Sequence, residues 1–202
     1  KTYFCQLDIN KPLTYLLDKV GDVIPGVIKE NGYYQIGKHD VAVTDVKPSK
    51  KVVGQGYSTS INVTVENQGG YTETFNVTAY ANPTVIGRVE VTFIAGSIKA
   101  IIFAWNTAGF AKGNYRINAT VTPVLGETDL ADNYLADGFV KVTIPGDING
   151  DGKVDHRDLL SLASAYGSGV GEPRYIPEAD IDCSGKVDHR DLLILASNYG
   201  KG

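Results

Sequence analysis

The sequence contains no methionine, one tryptophan, three histidines and two cysteines among its 202 residues. It also lacks a Gly-rich phosphate-binding loop and an HExxH zinc motif, and His39 has no nearby Ser, Cys or carboxylate motif such as a nucleophile elbow. The common catalytic signatures are therefore missing. No apolar run approaches the roughly 20 residues that span a bilayer. The sequence therefore predicts a protein that is not an enzyme and does not insert into a membrane.

Excess negative charge is confined to the last part of the chain. Residues 147–202 contain ten Asp or Glu and six Lys or Arg, a net charge of −4, whereas residues 1–146 contain thirteen of each kind. Two divalent cations would cancel the excess. A neutral region followed by an acidic one argues against nucleic acid as a partner.

Several features indicate an extracellular protein, either secreted or held at the cell surface. The chain begins at Lys1, which a removed signal peptide explains most simply, although a processed or truncated chain would look the same. Three N-x-Thr sequons, at Asn62, Asn76 and Asn118, are candidate sites for N-linked glycans. Cys5 and Cys183 could form a disulfide within the chain or between subunits, or remain free thiols.

The last third of the chain contains an internal repeat. Residues 147–167 and 180–200 are offset by 33 positions and share the identical segment KVDHRDLL. Each copy carries side-chain oxygens at loop positions 1, 3, 5, 9 and 12, and position 7 would add a main-chain carbonyl. This pattern is typical of a loop that surrounds a calcium ion with oxygen ligands.

The repeat predicts two calcium sites. The candidate ligands of the first loop are Asp147, Asn149, Asp151, Lys153, Asp155 and Asp158. Those of the second loop are Asp180, Asp182, Ser184, Lys186, Asp188 and Asp191. Gly152 and Gly185 occupy position 6, where the chain must bend sharply. Because four carboxylates in each loop repel one another without metal, we expect this region to be poorly folded in chelator.

A helix is predicted after each loop but not before it. Pro145-Gly146 and Pro177 disfavour entering helices. After the loops, two sets of apolar residues have the spacing of one helix face: Leu159, Leu162, Ala163 and Tyr166, and then Leu192, Leu195, Ala196 and Tyr199.

These loop–helix motifs, with Asp at position 12 and no entering helix, resemble a type I dockerin. In that family each motif binds one calcium ion, and loop positions 10 and 11 help to recognise a cohesin partner. The resemblance implies this role for His156, Arg157, His189 and Arg190. Because both copies carry the same pair, it also implies two binding orientations. Many bacterial dockerins have small hydroxyl residues at these positions, and the alternative is that both pairs are solvated loop residues.

Residues 38–145 have the pattern of an antiparallel β-sandwich. About seven short segments alternate apolar and polar residues between turns, which predicts an immunoglobulin-like fold. Four segments also resemble the cell-adhesion-related CARDB family of bacteria and archaea: HDVAVTDVKPS, INVTVENQGGYTETFNVTAY, AWNTAGFAKGNYRINATV and GETDLADN. That resemblance implies an adhesion or spacer module with no activity of its own.

Two groups of residues in this region allow alternatives. Glu127, Asp129 and Asp132 could form a further cation site, although an acidic surface loop is the commoner interpretation. Trp105 could stack on sugar rings, but its Ile-Ile-Phe-Ala-Trp context favours a buried strand.

Residues 1–37 form an N-terminal arm. The spacing of its leucines predicts a short helix at Thr14–Val20, and Tyr33–Ile36 is a short apolar stretch that could be a donated strand. The arm either covers this sandwich or donates a strand to a neighbouring subunit.

The sequence thus predicts a mainly β protein with a small α module, in which residues 146–202 form the dockerin-like domain. The preferred hypothesis is a calcium-dependent structural or adhesion subunit that assembles with other copies of itself into a filament or matrix. The alternative is an adaptor whose dockerin binds a cohesin domain on another protein. A carbohydrate-binding module is a weaker third hypothesis.

Overall fold

A computed structural model describes the backbone of residues 27–30 and 33–202, and the side chains from Gly37 onward. Cys5 and the predicted helix Thr14–Val20 lie outside the described residues. Strands β1 (Val27–Glu30) and β2 (Tyr33–Ile36) pair antiparallel in a separate two-stranded sheet. The predicted strand Tyr33–Ile36 therefore has a partner within its own chain.

Eight further strands follow: β3 (Val41–Pro48), β4 (Val52–Gly54), β5 (Ser58–Asn67), β6 (Glu73–Ala81), β7 (Thr84–Phe93), β8 (Ile98–Asn106), β9 (Gly113–Val121) and β10 (Tyr134–Thr143). The α-helices are α1 (His156–Ala165) and α2 (His189–Asn198), and a 3-10 helix spans Pro177–Ala179. In the described part of the chain, no helix is long and apolar enough to cross a membrane.

The eight strands form two sheets. One has the order β4-β10-β9-β6-β7 and the other β3-β5-β8. All neighbouring pairs are antiparallel except β4 and β10, which run parallel. The two sheets share one apolar core, which confirms the predicted immunoglobulin-like β-sandwich.

Alternation along the strands places one set of side chains in this core. Ile61, Val63 and Val65 on β5 are fully buried, while the residues between them are partly exposed. Trp105 on β8 is only 2% exposed and packs edge-to-face against Phe110 and Tyr115. Trp105 is therefore a core residue, as its sequence context indicates, and it offers no face to a sugar.

The strand β4 is absent from the seven-strand prediction. It has three residues, which is too short to show a period-2 pattern. Its place is set by pairing with the end of β10 rather than by its own sequence. This pairing brings the segment around Lys50 and Lys51 to the end of the sandwich from which the chain leaves.

A second apolar core lies beyond β10. It joins the end of the sandwich to both helices through Ile144, Ile148, Val154, Leu162, Ala165, Ala179, Ile181, Val187 and Leu195. Tyr57, which precedes β5, packs against both cores. The repeat region is thus a compact module packed directly on the sandwich.

Candidate metal centre

The first loop is organised by its first and last carboxylates. Asp147 Oδ1 accepts hydrogen bonds from the amides of Gly150 and Asp151, at 2.8 and 3.1 Å, and its Oδ2 accepts one from Gly152 at 2.8 Å. Asp158 Oδ1 accepts from the amides of Ile148 and Asn149, at 2.8 and 3.1 Å. These bonds bend the chain around a common centre between loop positions 1 and 12.

The second loop repeats this pattern. Asp180 accepts from the amides of Ser184 and Gly185, both at 3.0 Å. Asp191 Oδ1 accepts from Ile181 and Asp182, at 2.6 and 3.1 Å. The loops differ at position 4, whose amide donates to Asp147 Oδ1 in the first loop but to the main-chain carbonyl of Asp180 in the second. The remaining bonds are equivalent, so the duplicated sequence folds into closely similar loops.

Left-handed backbone conformations permit both bends. Gly152 and Gly185, at position 6, have φ values of 95° and 86°. Position 4 is also left-handed in both loops, with Gly150 at 76° and Cys183 at 60°. Such a φ is uncommon for a residue with a side chain. Cys183 therefore adopts a backbone conformation that its residue type disfavours, whereas Gly150 does not.

The last two acidic residues of each loop also form the start of the following helix. Asp155 and Asp188 are the N-caps of α1 and α2, and Asp158 and Asp191 complete reciprocal capping boxes. A capping box satisfies amides that the first helical turn leaves unpaired. The same carboxylates therefore serve helix initiation and the candidate metal site, which explains why no entering helix is needed to position them.

Carboxylate oxygens converge in the second loop. Ligand atoms of Asp180, Asp182 and Asp191 all lie within 4.8 Å of one another, and among the described residues no other group of three His, Cys, Asp or Glu does so. The first loop has Asn149 in place of Asp182, so one of its three equivalent ligands is a neutral amide. Position 5 reverses this difference, with Asp151 in the first loop and Ser184 in the second, so each loop has four carboxylates in a different arrangement.

Burial makes these carboxylates costly without a cation. Asp147 and Asp180 are 3% and 2% exposed, and Asp158 and Asp191 are fully buried. Burial raises the pKa of Asp191, and the nearby Asp182 charge acts in the same direction. Burial, followed by the hydrogen bond that its hydroxyl donates to Asp180 Oδ2, likewise raises the pKa of Tyr175.

A hard cation fits this donor set. Calcium takes oxygen ligands in a flexible shell, and the loops supply buried carboxylates, an amide or hydroxyl at alternate positions, and main-chain carbonyls. Asp147, Asp151, Asp155 and Asp158 with Asn149 and the carbonyl of Lys153 would hold one ion. Asp180, Asp182, Asp188 and Asp191 with Ser184 and the carbonyl of Lys186 would hold the other.

The two His–Arg pairs lie where each loop meets its helix. The side chains of His156 and His189 are 69% and 70% exposed, and that of Arg157 is 68% exposed. Arg157 lies 3.8 Å from Asp151 and each histidine lies within 3.8 Å of its N-cap carboxylate. The structure presents the two pairs equally to solvent.

The predicted helix face is partly wrong. The residues that α1 buries are Asp158, Leu162 and Ala165, whereas Leu159, Ala163 and Tyr166 are exposed. In α2, Leu195 is buried and Leu193 is 64% exposed. The capping aspartate takes the inward position in each helix, so the helix is rotated and leucines are left on the outside beside the His–Arg pairs.

The remaining predicted site residues lie elsewhere. Asn62, Asn76 and Asn118 lie on β5, β6 and β9 at positions that alternate with buried residues, and each is partly exposed. Whether they carry glycans stays a prediction. Cys183 is an exposed free cysteine in the structure. Its proposed pairing with Cys5 concerns a residue outside the described part of the chain.

The acidic loop before β10 is tied to the sandwich by hydrogen bonds. Glu127 accepts from the amides of Val41 and Val124 at 2.9 and 2.8 Å, and Asp129 accepts from Ala131 at 3.2 Å. Asp132 has one buried oxygen without a hydrogen-bond partner. Burial, followed by the charges of Asp40, Asp129 and Glu127, raises the pKa of Asp132. This arrangement favours a structural loop.

Sequence reasoning missed four residues that contact the calcium loops from outside them. Thr143 donates to Asp147 and Tyr175 donates to Asp180. Lys141 and Lys50 donate to loop position 4 of the first and second loop. None of them belongs to the ligand pattern of the loops. Thr143 and Tyr175 lie four and five residues before the aspartates that they contact, whereas Lys50 reaches its loop only through tertiary packing.

Comparisons with known proteins match two segments of the chain. Residues 38–136 match the family model of CARDB, and residues 145–198 match that of the dockerin type I domain. No curated protein matches the chain. Dockerin domains bind calcium and typically bind cohesin partners, and both families occur in extracellular or cell-surface proteins.

Solved structures with some similarity include CARDB domains from archaea. One is the CARDB domain of a Pyrococcus furiosus protein in complex with two metal ions, at 29% identity over 53% of this chain and 96% of that one, with a TM-score of 0.46. Another comes from a Methanosarcina acetivorans protein described as a cell surface protein, at 22% identity over 52% and 92% of the chains, with a TM-score of 0.42.

A β-glucosidase from Listeria innocua is also similar, at 13% identity over 67% of this chain but only 20% of the enzyme, with a TM-score of 0.39.

The two segments that match family models follow one another along the sequence and coincide with the sandwich and the calcium-loop module. The chain therefore carries a CARDB domain followed by a dockerin type I domain.

Proposed function

We propose that this protein is a non-enzymatic extracellular docking protein. Its dockerin module binds two calcium ions and engages a cohesin-type partner through His156 and Arg157 or through His189 and Arg190. The observation that carries the proposal is the equal exposure of the two pairs, each held at a loop–helix junction by the same capping box. The exposed leucines beside them add the apolar area that a docking surface needs.

Symmetry makes a quantitative test possible. If either pair can contact the partner, replacing both residues of one pair by alanine removes one of two equivalent orientations and weakens binding only about twofold. Replacing both pairs removes both orientations and should abolish binding at micromolar concentration. The measurement is calorimetric titration of a cohesin-type domain in calcium and again in chelator.

A matched control is available in the same module. Arg174 lies in the linker between the motifs and is exposed, so Arg174→Ala removes a similar positive charge away from both loops. It should bind like the unmodified protein. If the four-residue variant binds as tightly as Arg174→Ala, the pairs are solvated loop residues and the docking proposal is wrong.

Self-assembly is the second candidate function, and a different surface favours it. Strand β8 lies at the edge of its sheet, and Ile98 and Ile102 on its outer face are 59% and 71% exposed. An exposed edge strand with apolar side chains is a template for pairing with another chain. Such a contact between identical subunits would extend into a filament if it did not close.

Electron microscopy in calcium and then in chelator separates the two functions. Polymers that dissolve in chelator support assembly, and Ile98→Lys with Ile102→Lys should then prevent them. Deleting residues 1–37 should also abolish polymers if that arm is a donated strand, whereas unchanged polymers would exclude the donation. A monodisperse protein that captures the cohesin-type domain supports docking alone.

A further inference from the structure

The sandwich contacts both calcium loops at the same two loop positions. At position 1, the Thr143 hydroxyl donates to Asp147 Oδ2 at 2.5 Å, and the Lys50 ammonium donates to the main-chain carbonyl of Asp180. At position 4, Lys141 donates to the carbonyl of Gly150 at 2.5 Å, and Lys50 donates to Cys183 Sγ at 2.9 Å. Thr143, Lys141 and Lys50 all lie outside the segment that matches a dockerin.

The two position-1 contacts are buried, and the two position-4 contacts are partly buried. Thr143 is 2% exposed, Lys50 is 5% exposed, and the aspartates at position 1 are equally inaccessible. A buried hydrogen bond is stronger than one in water, and a satisfied buried network holds its members in one arrangement. The contacts therefore restrict the orientation of the loops relative to the sandwich.

Close packing around the joint leaves little room for the loops to shift. A methyl group added at Gly54 would lie 2.6 Å from the Cα of Pro145, and one at Gly146 would lie 2.9 Å from the Cα of Leu195. The amide of Lys51 also donates to Glu178 at 2.9 Å, just before the second loop. The sandwich and the module are thus connected by close packing at Gly54 and Pro145 and by the bond from the Lys51 amide to the Glu178 carboxylate.

The two loops differ in the residue whose hydroxyl group orients the aspartate at position 1. In both loops Oδ2 of the first aspartate accepts from the amide of the position-6 glycine. Its second donor is Thr143 of β10 in the first loop but Tyr175 of the linker in the second. Groups that hydrogen-bond to a metal ligand fix its orientation, and their loss typically lowers metal affinity 10–100-fold.

We propose that Thr143 is a positioning residue for the first calcium site, so that the sandwich is a structural part of this site. Its hydroxyl holds Oδ2 of Asp147 and leaves the other carboxylate oxygen directed into the loop. The second site takes the equivalent support from Tyr175 within the module. The inference rests on the proposed binding of two calcium ions and deepens it.

The test compares Thr143→Val with Thr143→Ser in the full chain. Valine keeps the shape and removes the donor, whereas serine keeps the donor. Calcium titration is followed by NMR through the amide signals of Gly152 and Gly185, which report on the first and second loop separately because each donates to its own position-1 aspartate. Thr143→Val should weaken the first site about tenfold or more and leave the second unchanged, and Thr143→Ser should restore it.

The outcomes are distinguishable. If neither glycine of the unmodified protein responds to calcium, the proposed calcium function fails. If the unmodified protein binds two ions and Thr143→Val binds them equally well, the positioning role of Thr143 is wrong. An equal loss at both sites that serine does not restore would indicate general destabilisation and would also overturn the inference.

Discussion

The sandwich and the calcium module stabilise themselves by different means. The sandwich buries a continuous set of apolar side chains from two sheets. The module has a smaller apolar core and buries four aspartates, namely Asp147, Asp158, Asp180 and Asp191. Apolar burial stabilises a fold without a ligand, whereas buried carboxylates require a partner of opposite charge. Stability should therefore depend on calcium in one half of the molecule and not in the other.

Removing calcium should have the largest effect and should separate the two halves. At a free calcium concentration 100-fold above Kd, each ion stabilises the folded state by about 2.7 kcal/mol. In chelator we expect amide protection to collapse around Leu162 and Leu195 and to persist around Val63 and Ile117. Hydrogen exchange measures both regions in one sample. Equal loss of protection in the two halves would mean that the sandwich cannot fold without the module.

Truncating the sandwich core should destabilise the protein by the same amount with and without calcium. Trp105→Ala deletes a buried aromatic side chain and should cost about 3–5 kcal/mol of unfolding free energy, whether or not calcium is present. Trp105→Phe, which keeps part of the contact with Phe110 and Tyr115, should cost less. Urea unfolding at two calcium concentrations checks this. A calcium-dependent cost would show that the division between the halves is wrong.

The two loops can be compared by exchanging one residue. Each loop has four carboxylates, but the first has Asn149 and Asp151 at positions 3 and 5, whereas the second has Asp182 and Ser184 there. Ligand charge tunes affinity, so Asn149→Asp, which adds a fifth carboxylate, should tighten the first site, and Asp182→Asn, which leaves three, should weaken the second. We expect a change of about tenfold at each site, or about 1.4 kcal/mol. Unaltered affinities in a calcium titration of the doubly substituted protein would show that the surrounding contacts control affinity instead.

The smallest expected effect is a pH dependence within the sandwich. Since burial raises the pKa of Asp132, its ionised form destabilises the fold, and stability should fall as pH rises through the elevated folded-state pKa. Asp132→Asn should therefore raise Tm modestly at neutral pH, with a gain that disappears below the unfolded-state pKa near 3.9. Asp137→Asn, at an exposed position on β10, is the control. A gain that grows toward acid pH would contradict the sign.

The elements that sequence predicted best are those with strong local signals. The strands β3 and β5–β10 were recognised because alternation over eight or more residues reflects the two faces of a sheet. The candidate ligands of both loops could be predicted because their spacing along the chain is set by the loop itself, and their binding of calcium stays a prediction. The short strand β4 and the buried face of α1 were not predicted correctly. The strand β4 depends on its pairing with β10, and the buried face of α1 depends on the burial of Asp158.

The sequence by itself determined the sandwich, the two acidic loops and the position of the His–Arg pairs, because each is encoded by residues close together in the chain. Only the tertiary structure decided how the two halves are joined. Thr143, Lys141 and Lys50 reach the loops because β4 and β10 end beside them. A contact between residues as far apart as Lys50 and Cys183 produces no periodic pattern in a single sequence, because it forms only when the sandwich and the module pack together.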